Sequence, residues 1–491
     1  MYMECAPSNI ISPASILLEE EEDIRVLKKT NKELAQTNLT LQSLLKTSQS
    51  RVTELEARLG LNSDNSNFPP SRNVVPLPPK PKSRRKKRDK KAGGQPGRKG
   101  VTRKLSDTPN KVIPLSLETC PCGCSLIKIP PIKKIRHQVH DIPSQPFTIT
   151  EYRSDVKICP KCSRKISAPF PAEAKNTINF GPNIKAFVLY QHVVNFTPYD
   201  RLVKMIQDFF GQKVSPATIA KFISTASKSL GEYDKEVRAE LLKSLILHAD
   251  ETGFRVKGER WWLHSLSNAR FTYYGVHFKR GSEAMDHIGL LNSFFGVLVH
   301  DFWSSYAKYP ALHAYCNAHL IRELQGIYDG FKQKWAIKMR ELLEEMYQYV
   351  FGREIHDEHE IQELIERYDK LIMEGERANP PPLKEEGKNR APKNTKGGNL
   401  VKRMKKHKDG VLLFLTTRGE IPFTNNEAEQ AVRMMKVQQK ISGTFRTEDG
   451  AKHFAALRGY ISTMMKQGIS AYEAVQALAI GQPILLSSLS A

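Results

Sequence analysis

From residue 24 to residue 59 apolar positions return every three or four residues. With Ile24 at position a of a heptad, the a series is Ile24, Asn31, Asn38, Leu45, Val52 and Leu59. The d series is Leu27, Leu34, Leu41, Ser48 and Leu55. A seam of this period held over five heptads predicts a coiled coil, and Asn at two a positions fixes register and favours two strands. The expected assembly is a homodimer through residues 1–60. The pattern then dissolves. Residues 61–110, with "FPPS", "PLPPKPK" and "GGQPGRKG", bury too little apolar surface to order themselves, so a flexible basic linker is expected.

Further on, "PFTITEYRSDVKI" reads as β-like and lies between two cysteine clusters, giving a small domain over 111–172. Residues 173–240 read as helical throughout. Within them "TPYDRLVKMIQDFFGQKVSPATIAKFISTASKSL" is two helices about a Gly-containing turn, the second opened by Ser215 as N-cap and Pro216 at its first position. That is a helix-turn-helix-like pattern. The period then changes to that of strands in "SLILHADETGFRV", "RWWLHSLS", "FTYYGVHF" and "GVLVHDF", rich in β-branched and aromatic residues. A helix, "EAMDHIGLLNSFF", separates the third and fourth, and "ALHAYCNAHLIREL" continues the α/β alternation. The expectation is a multidomain α/β protein whose catalytic core, RNase H-like in element order, is a mixed sheet flanked by helices. Its first part spans 241–334, a mostly helical and basic insertion 335–420, its second part 421–470, and a C-terminal tail 471–491.

Charge changes this picture. The chain of 491 residues carries 75 Lys and Arg against 52 Asp and Glu, a net charge of +23. Residues 80–104 hold thirteen basic residues and one Asp, among them Lys86, Lys87, Arg88 and Arg98. Such a polycation releases condensed counterions on meeting a polyphosphate, which points to nucleic acid. No apolar run is long enough for a membrane span, and the N-terminal stretch lacks the basic start of a signal peptide. A cytoplasmic protein is expected. Five of the seven cysteines fall in "CPCGC" and "CPKC". In a basic cytoplasmic chain that argues for structural Zn²⁺ rather than disulfides. Cys159 and Cys162 supply two thiolates, and two of Cys120, Cys122 and Cys124 supply the others; the spacing leaves open which two.

Two aspartates close apolar strands, Asp250 in "LILHAD" and Asp301 in "GVLVHD". A carboxylate there is costly unless it is paired, hydrogen-bonded or metal-bound. Glu427, at the start of a helix in "FTNNEAEQAVRMMKVQQKISG", would complete a three-carboxylate site. Such a site can hold two Mg²⁺ or Mn²⁺ ions roughly 4 Å apart for phosphoryl transfer. The bland alternatives are a turn for Asp250, a cap for Asp301, and for Glu427 a capping box with Thr424. Glu251 alternates to the other face of its strand, and Glu429 lies roughly 200° of helix from Glu427, so both are weaker candidates. Arg433, Lys436, Lys440 and Arg446 could contact phosphates. Cys316, His319 and Arg322 stand at helical spacing in "CNAHLIREL". They are half a zinc site with no second half nearby in sequence, and are read as packing and hydrogen-bonding residues, with His319 supporting the active site.

The order of parts resembles the insertion-sequence-66 family of transposases across nearly the whole chain. The matching pieces are "LGLNSDNSNFPPS", "KKAGGQPGRKG", the paired-cysteine segment, "HADETGFRV", "VHDFWSSY", "CNAHLIREL" and "FTNNEAEQAVRMMKVQQKISGTFRTEDGA". The resemblance implies a DDE-type catalytic domain with Asp250, Asp301 and Glu427 as metal ligands. It also implies a zinc-binding domain, recognition of the element's terminal repeats by the N-terminal half, and small accessory transposition proteins. "CPCGC" is tighter than the family's usual Cys-x-x-Cys. The expected function is cleavage of element ends and joining of the 3′-hydroxyls to target DNA. The rivals are a nuclease that cuts without joining and a zinc-containing DNA-binding regulator with an inactive catalytic domain.

Overall fold

A computed structural model describes residues 13–60, 176–382 and 393–489, together with scattered positions between 105 and 174. The chain divides into two compact units. One comprises Leu77–Gly181 and Asp200–Pro216; the other comprises Met1–Pro76, Pro182–Tyr199 and Ala217–Ala491. Lys86, Lys87, Arg88, Arg98, Cys120, Cys124, Cys159 and Cys162 lie outside the described residues.

Helix α1 (Pro13–Leu59) covers the whole predicted heptad stretch. Its described seam residues Leu27, Leu34, Leu41, Leu45, Val52 and Leu55 are exposed. In the smaller unit, β1 (Val156–Ile158) and β2 (Lys165–Ser167) pair antiparallel on either side of the "CPKC" segment. The β-like stretch before it is strand only over those last three residues, and Cys122 sits exposed on a turn. The helical region holds α2 (Pro182–Leu189) running into a π-helical turn, α3 (Tyr199–Phe210), α4 (Pro216–Lys228) and α5 (Gly231–Leu242). The two helices of the helix-turn-helix-like stretch form as α3 and α4; most of α3 is assigned to the smaller unit and most of α4 to the larger.

The larger unit is built on a five-stranded mixed sheet of β3 (Ile246–Val256), β4 (Glu259–Ser267), β5 (Thr272–His277), β6 (Val297–His300) and β7 (Leu312–Tyr315), in the order β5-β4-β3-β6-β7. α6 (Ser282–Ile288) lies in sequence between β5 and β6. β3, β4 and β5 run antiparallel, while β6 and β7 are parallel to β3. Central β3 is buried along most of its length, as a strand covered on both faces must be. The β3–β4 hairpin closes through two residues, Lys257 at φ 50° and Gly258 at φ 84°. Positive φ at both centres marks the type I′ turn whose twist matches its strands.

Helices α7 (Asn317–Phe331), α8 (Lys334–Phe351), α9 (Glu358–Ala378), α10 (Lys396–Lys406) and α11 (Lys408–Thr416) follow. They enclose their own core around Trp335, Met339, Leu343, Tyr368, Met404 and Phe414, so the expected insertion is a packed helical layer. The chain then returns to the sheet as α12 (Asn426–Ser442) and α13 (Glu448–Lys466), which bury Met434, Met435 and Phe454 against Phe254, Leu263 and Tyr274. Beyond α12, Phe445 bridges to Val256 and its carbonyl accepts from Lys257 N–H at 2.8 Å. The expected C-terminal tail is instead a helix, α14 (Ala471–Ala479), with Ala474, Val475 and Leu478 buried. The apolar spacing of those three residues is too short a signal to separate a helix from a loop. No helix among the described residues is long and apolar enough to cross a membrane.

Replacing Gly258 by Val puts a β-branched side chain at φ 84°. We expect a loss of about 1–2 kcal/mol in urea unfolding; an unchanged midpoint would mean that this turn is not under the constraint described.

Candidate active site

Two backbone registers build the site. β3 and β6 pair in parallel as Ile246↔Val297, Leu247↔Leu298 and His248↔Val299, and there the ladder stops. Carried two residues further, the same register sets Asp250 level with Asp301. The apolar run closes at Asp250, but β3 continues to Val256 against β4, where Phe445 bridges to it. Asp250 therefore stands where β6 departs and the sheet opens, and Asp301 is the first residue past β6.

The second register is that of α12. Its N-cap residue Asn425 is 2% exposed and joins three elements. Its Nδ2 donates to the Ala249 carbonyl at 2.7 Å, its Oδ1 faces His248 Nδ1 at 2.9 Å, and its N–H donates to Cys316 Sγ at 3.1 Å. The Asn317 N–H donates to the Phe423 carbonyl at 3.1 Å. The first turn of α12 is thus fastened to β3 one residue before Asp250, and to the start of α7.

That fastening decides which glutamate faces the aspartates. Glu427 accepts from Lys466 Nζ at 2.7 Å, and its other oxygen lies 3.9 Å from His248 Nε2. The capping box with Thr424 does not form: the N-cap of α12 is Asn425, with no side-chain cap bond. Glu429 is the carboxylate whose charge acts on Asp250. Its Oε1 lies 3.8 Å from both His319 Nδ1 and Arg322 on α7, and its Oε2 3.7 Å from Arg433.

Electrostatics sets this cluster apart. Burial first, then the charges of Glu251, Asp301 and Glu429, hold the Asp250 carboxyl well above the usual range, although its Oδ1 accepts the Glu251 N–H at 2.8 Å. Burial also raises Asp301. The Trp303 N–H it accepts at 2.9 Å and the positive charges of Arg280 and Arg403 work the other way. The Trp303 bond closes a turn rather than capping a helix: the helical turn that follows, Tyr306–Lys308, has Ser305 as its N-cap. Glu251, raised by burial and by Asp301, accepts from Arg280 Nε at 2.8 Å and from the Tyr306 hydroxyl at 2.7 Å. The Arg280 guanidinium in turn sits 5.0 Å from the Trp262 ring centre and 4.3 Å from that of Trp303. Burial, then Arg322 and Arg403, push His319 down to about 4, and burial raises the Cys316 thiol to about 11.

Asp250, Asp301 and Glu429 could hold a hard divalent cation: all offer carboxylate oxygens. Glu429 Oε1 is buried and has no hydrogen-bond partner, as a coordinating oxygen would be left without its ion. Of the basic candidates, Arg433, Lys440 and Arg446 are exposed, whereas Lys436 donates back to the Gly253 carbonyl and is engaged with the sheet. Sequence reasoning ranked Glu429 and Glu251 as weaker candidates and passed over Asn425, Arg280 and Tyr306. For Glu429 the usable signal was its i, i+4 spacing from Arg433; for the others no local signal exists.

The fold is that of an α/β protein with carboxylates gathered where the pairing of two parallel strands ends. Residues 177–453, more than half of the chain, match the model of the Transposase IS66 family. The chain belongs to that family, which supports a transposase function and a DNA-modifying enzyme. Residues 19–104 match a family of unknown function (DUF6444). No curated protein matches the chain.

The raised Asp250 fixes the sign of a pH effect. Its folded value lies above the unfolded one, so it costs nothing at a pH below the unfolded value and destabilises progressively as pH rises through the folded value. In EDTA at pH 8, Asp250→Asn should therefore unfold at higher urea than wild type, by roughly 1–2 kcal/mol, with the difference vanishing towards pH 4. Mg²⁺ should stabilise wild type at pH 8 and the variant little. A less stable variant at pH 8 in EDTA would refute the charge-crowding account.

Proposed function

We propose that this protein is a DDE-type transposase with an RNase H-like catalytic core, which cleaves element ends and joins their 3′-hydroxyls to target DNA. The observation that carries this reading is the β3–β6 register that sets Asp250 level with Asp301 where the sheet opens, next to the α12 turn bearing Glu429; burial and the charges of Glu251, Asp301 and Glu429 raise the Asp250 carboxyl. The strand order β5-β4-β3-β6-β7 accords with an RNase H-like core. Within the carboxylate set we place Glu429 rather than Glu427, because the Glu427 carboxylate is paired with Lys466 at 2.7 Å.

Asp250, Asp301 and Glu429 would hold the divalent ions, Mg²⁺ or Mn²⁺. When bound, a pair of such ions activates an attacking hydroxyl and stabilises a leaving oxygen. The chain's own residues prepare that place. Asn425 fixes the first turn of α12 beside β3. Arg280 and Tyr306 hold Glu251 by hydrogen bonds, and Arg280 and Arg403 moderate the charge of Asp301. Arg433, Lys440 and Arg446, with Lys86, Lys87, Arg88 and Arg98 of the basic segment, are the residues offered to DNA phosphates. The exposed leucine seam of α1 supports pairing of two protomers, so that two element ends are handled together. Structural Zn²⁺ on Cys159, Cys162 and two of Cys120, Cys122 and Cys124 belongs to the same reading. So do terminal-repeat DNA, small accessory proteins as partners, and a cytoplasmic setting.

The decisive comparison is Glu429→Gln against Glu427→Gln, using DNA from the gene's own flanks and Mg²⁺ or Mn²⁺. Loss of several kcal/mol of transition-state stabilisation corresponds to a fall on the order of a thousandfold in strand cleavage and joining. We expect that fall for Glu429→Gln with DNA binding retained, and a much smaller one for Glu427→Gln. The reverse ranking would return the role to Glu427, and cleavage without joining by wild type would make the protein a nuclease. A second test concerns assembly: Leu34→Glu with Leu41→Glu should shift the chain from dimer to monomer in sedimentation, and a persisting dimer would exclude the α1 seam.

A further inference from the structure

The acidic opening does not account for everything that α7 and α12 bring together. Cys316, the N-cap residue of α7, and His319, one turn on, face Glu429 of α12. One donor atom from each, a sulfur, an imidazole nitrogen and a carboxylate oxygen, lies within 4.8 Å of the other two. The half-site seen in the sequence thus gains its third ligand from a helix more than one hundred residues away.

Hydrogen bonding does not explain this approach. His319 Nδ1 and Glu429 Oε1 are 3.8 Å apart, too far for a hydrogen bond. Both atoms are buried with no hydrogen-bond partner, a state that is costly for a polar group. The spacing suits a shared ion better: two ligands at about 2.1 Å from a tetrahedral ion stand roughly 3.4 Å apart. A sulfur, a nitrogen and a single carboxylate oxygen form a borderline-soft set, suited to Zn²⁺ and poorly suited to Mg²⁺ or Ca²⁺. The Asn425 N–H already points at Cys316 Sγ, and the start of α7 favours negative charge on that sulfur.

We propose that Cys316, His319 and Glu429 form a Zn²⁺ site, separate from the cysteine clusters, that takes Glu429 away from the catalytic carboxylates. On binding, the Cys316 S–H bond breaks, a sulfur–zinc bond forms, and the proton leaves to solvent; nothing is oxidised or reduced. Thiolate and carboxylate together offset the ion, which lets it sit near the positive Arg322. Three protein ligands leave the fourth position open to water. The regulatory consequence rests on the transposase reading above: Zn²⁺ at this site inhibits strand cleavage by competing for Glu429.

The test uses the full chain as wild type, Cys316→Ser and His319→Gln, loaded with Zn²⁺ or Co²⁺ and freed of excess ion. Bound metal per chain is counted, and thiolate-to-Co²⁺ charge-transfer absorption is recorded. Each variant should hold one ion fewer than wild type, and Cys316→Ser should lose part of the absorption band. Equal metal content in all three proteins overturns the site. Should Cys316→Ser fail to fold, His319→Gln alone decides the count. In cleavage assays with Mg²⁺, added Zn²⁺ should inhibit wild type at least tenfold more strongly than His319→Gln; equal inhibition overturns the competition. A missing ion in the variants, with no cleavage by any of the proteins under any metal, upholds the site and rejects the transposase reading instead.

Discussion

Like charges held together out of water are the condition around which the larger unit is organised. The charges of Glu251, Asp301 and Glu429 act on Asp250, and that of Asp301 on Glu251, in a buried region where an ionised carboxylate is costly. The surrounding residues divide that cost. Arg280 and Tyr306 satisfy Glu251, while Lys466 removes Glu427 from the group. Arg403, on a helix of the insertion, lowers Asp301 from a distance and stacks its guanidinium 4.6 Å from the Phe302 ring centre. Asp250 has only one N–H from its own neighbour. It is the least compensated member, as a group reserved for a ligand would be.

The sheet explains why these residues meet. Parallel pairing of β3 and β6 ends after three residue pairs, yet β3 runs on with β4. The opening is thus a place where one strand loses its neighbour. Side chains there face a gap that only a helix can close, and α12 closes it through Asn425. The insertion does more than interrupt the chain: its helices bury their own core and bring Arg403 to the edge of the site.

The alternation of apolar runs gave the strands and the order of the core, because β-branched and aromatic clusters stand out in a window of eight residues. The run "SLILHADETGFRV" reads as one strand to Val256, as β3 is; that its pairing with β6 stops before Asp250 has no local signal. The sequence offers Glu427 as the third carboxylate, against a capping box with Thr424. A capping box is a local motif, but here the cap residue is drawn to Ala249 and Glu427 to Lys466. Those partners lie far away in sequence, so no local window contains the answer. The half-site Cys316–His319 likewise found its third donor on another element. The cysteine clusters and the basic segment fall outside the described residues, so they stand as read from the chain.

The dependence of the opening on Asn425 has a temporal side. A ribosome that has reached residue 420 has already made both aspartates and the whole five-stranded sheet. The helix that carries Glu429, and the lysine that removes Glu427, are still unmade. Closure must wait for contacts spanning some 180 positions, the slowest kind to form. A nascent or truncated chain therefore carries the strands but no finished centre. Whatever chemistry the opening performs is thus withheld until the last helices are synthesised and docked, a delay that the order of the parts supplies without any inhibitor.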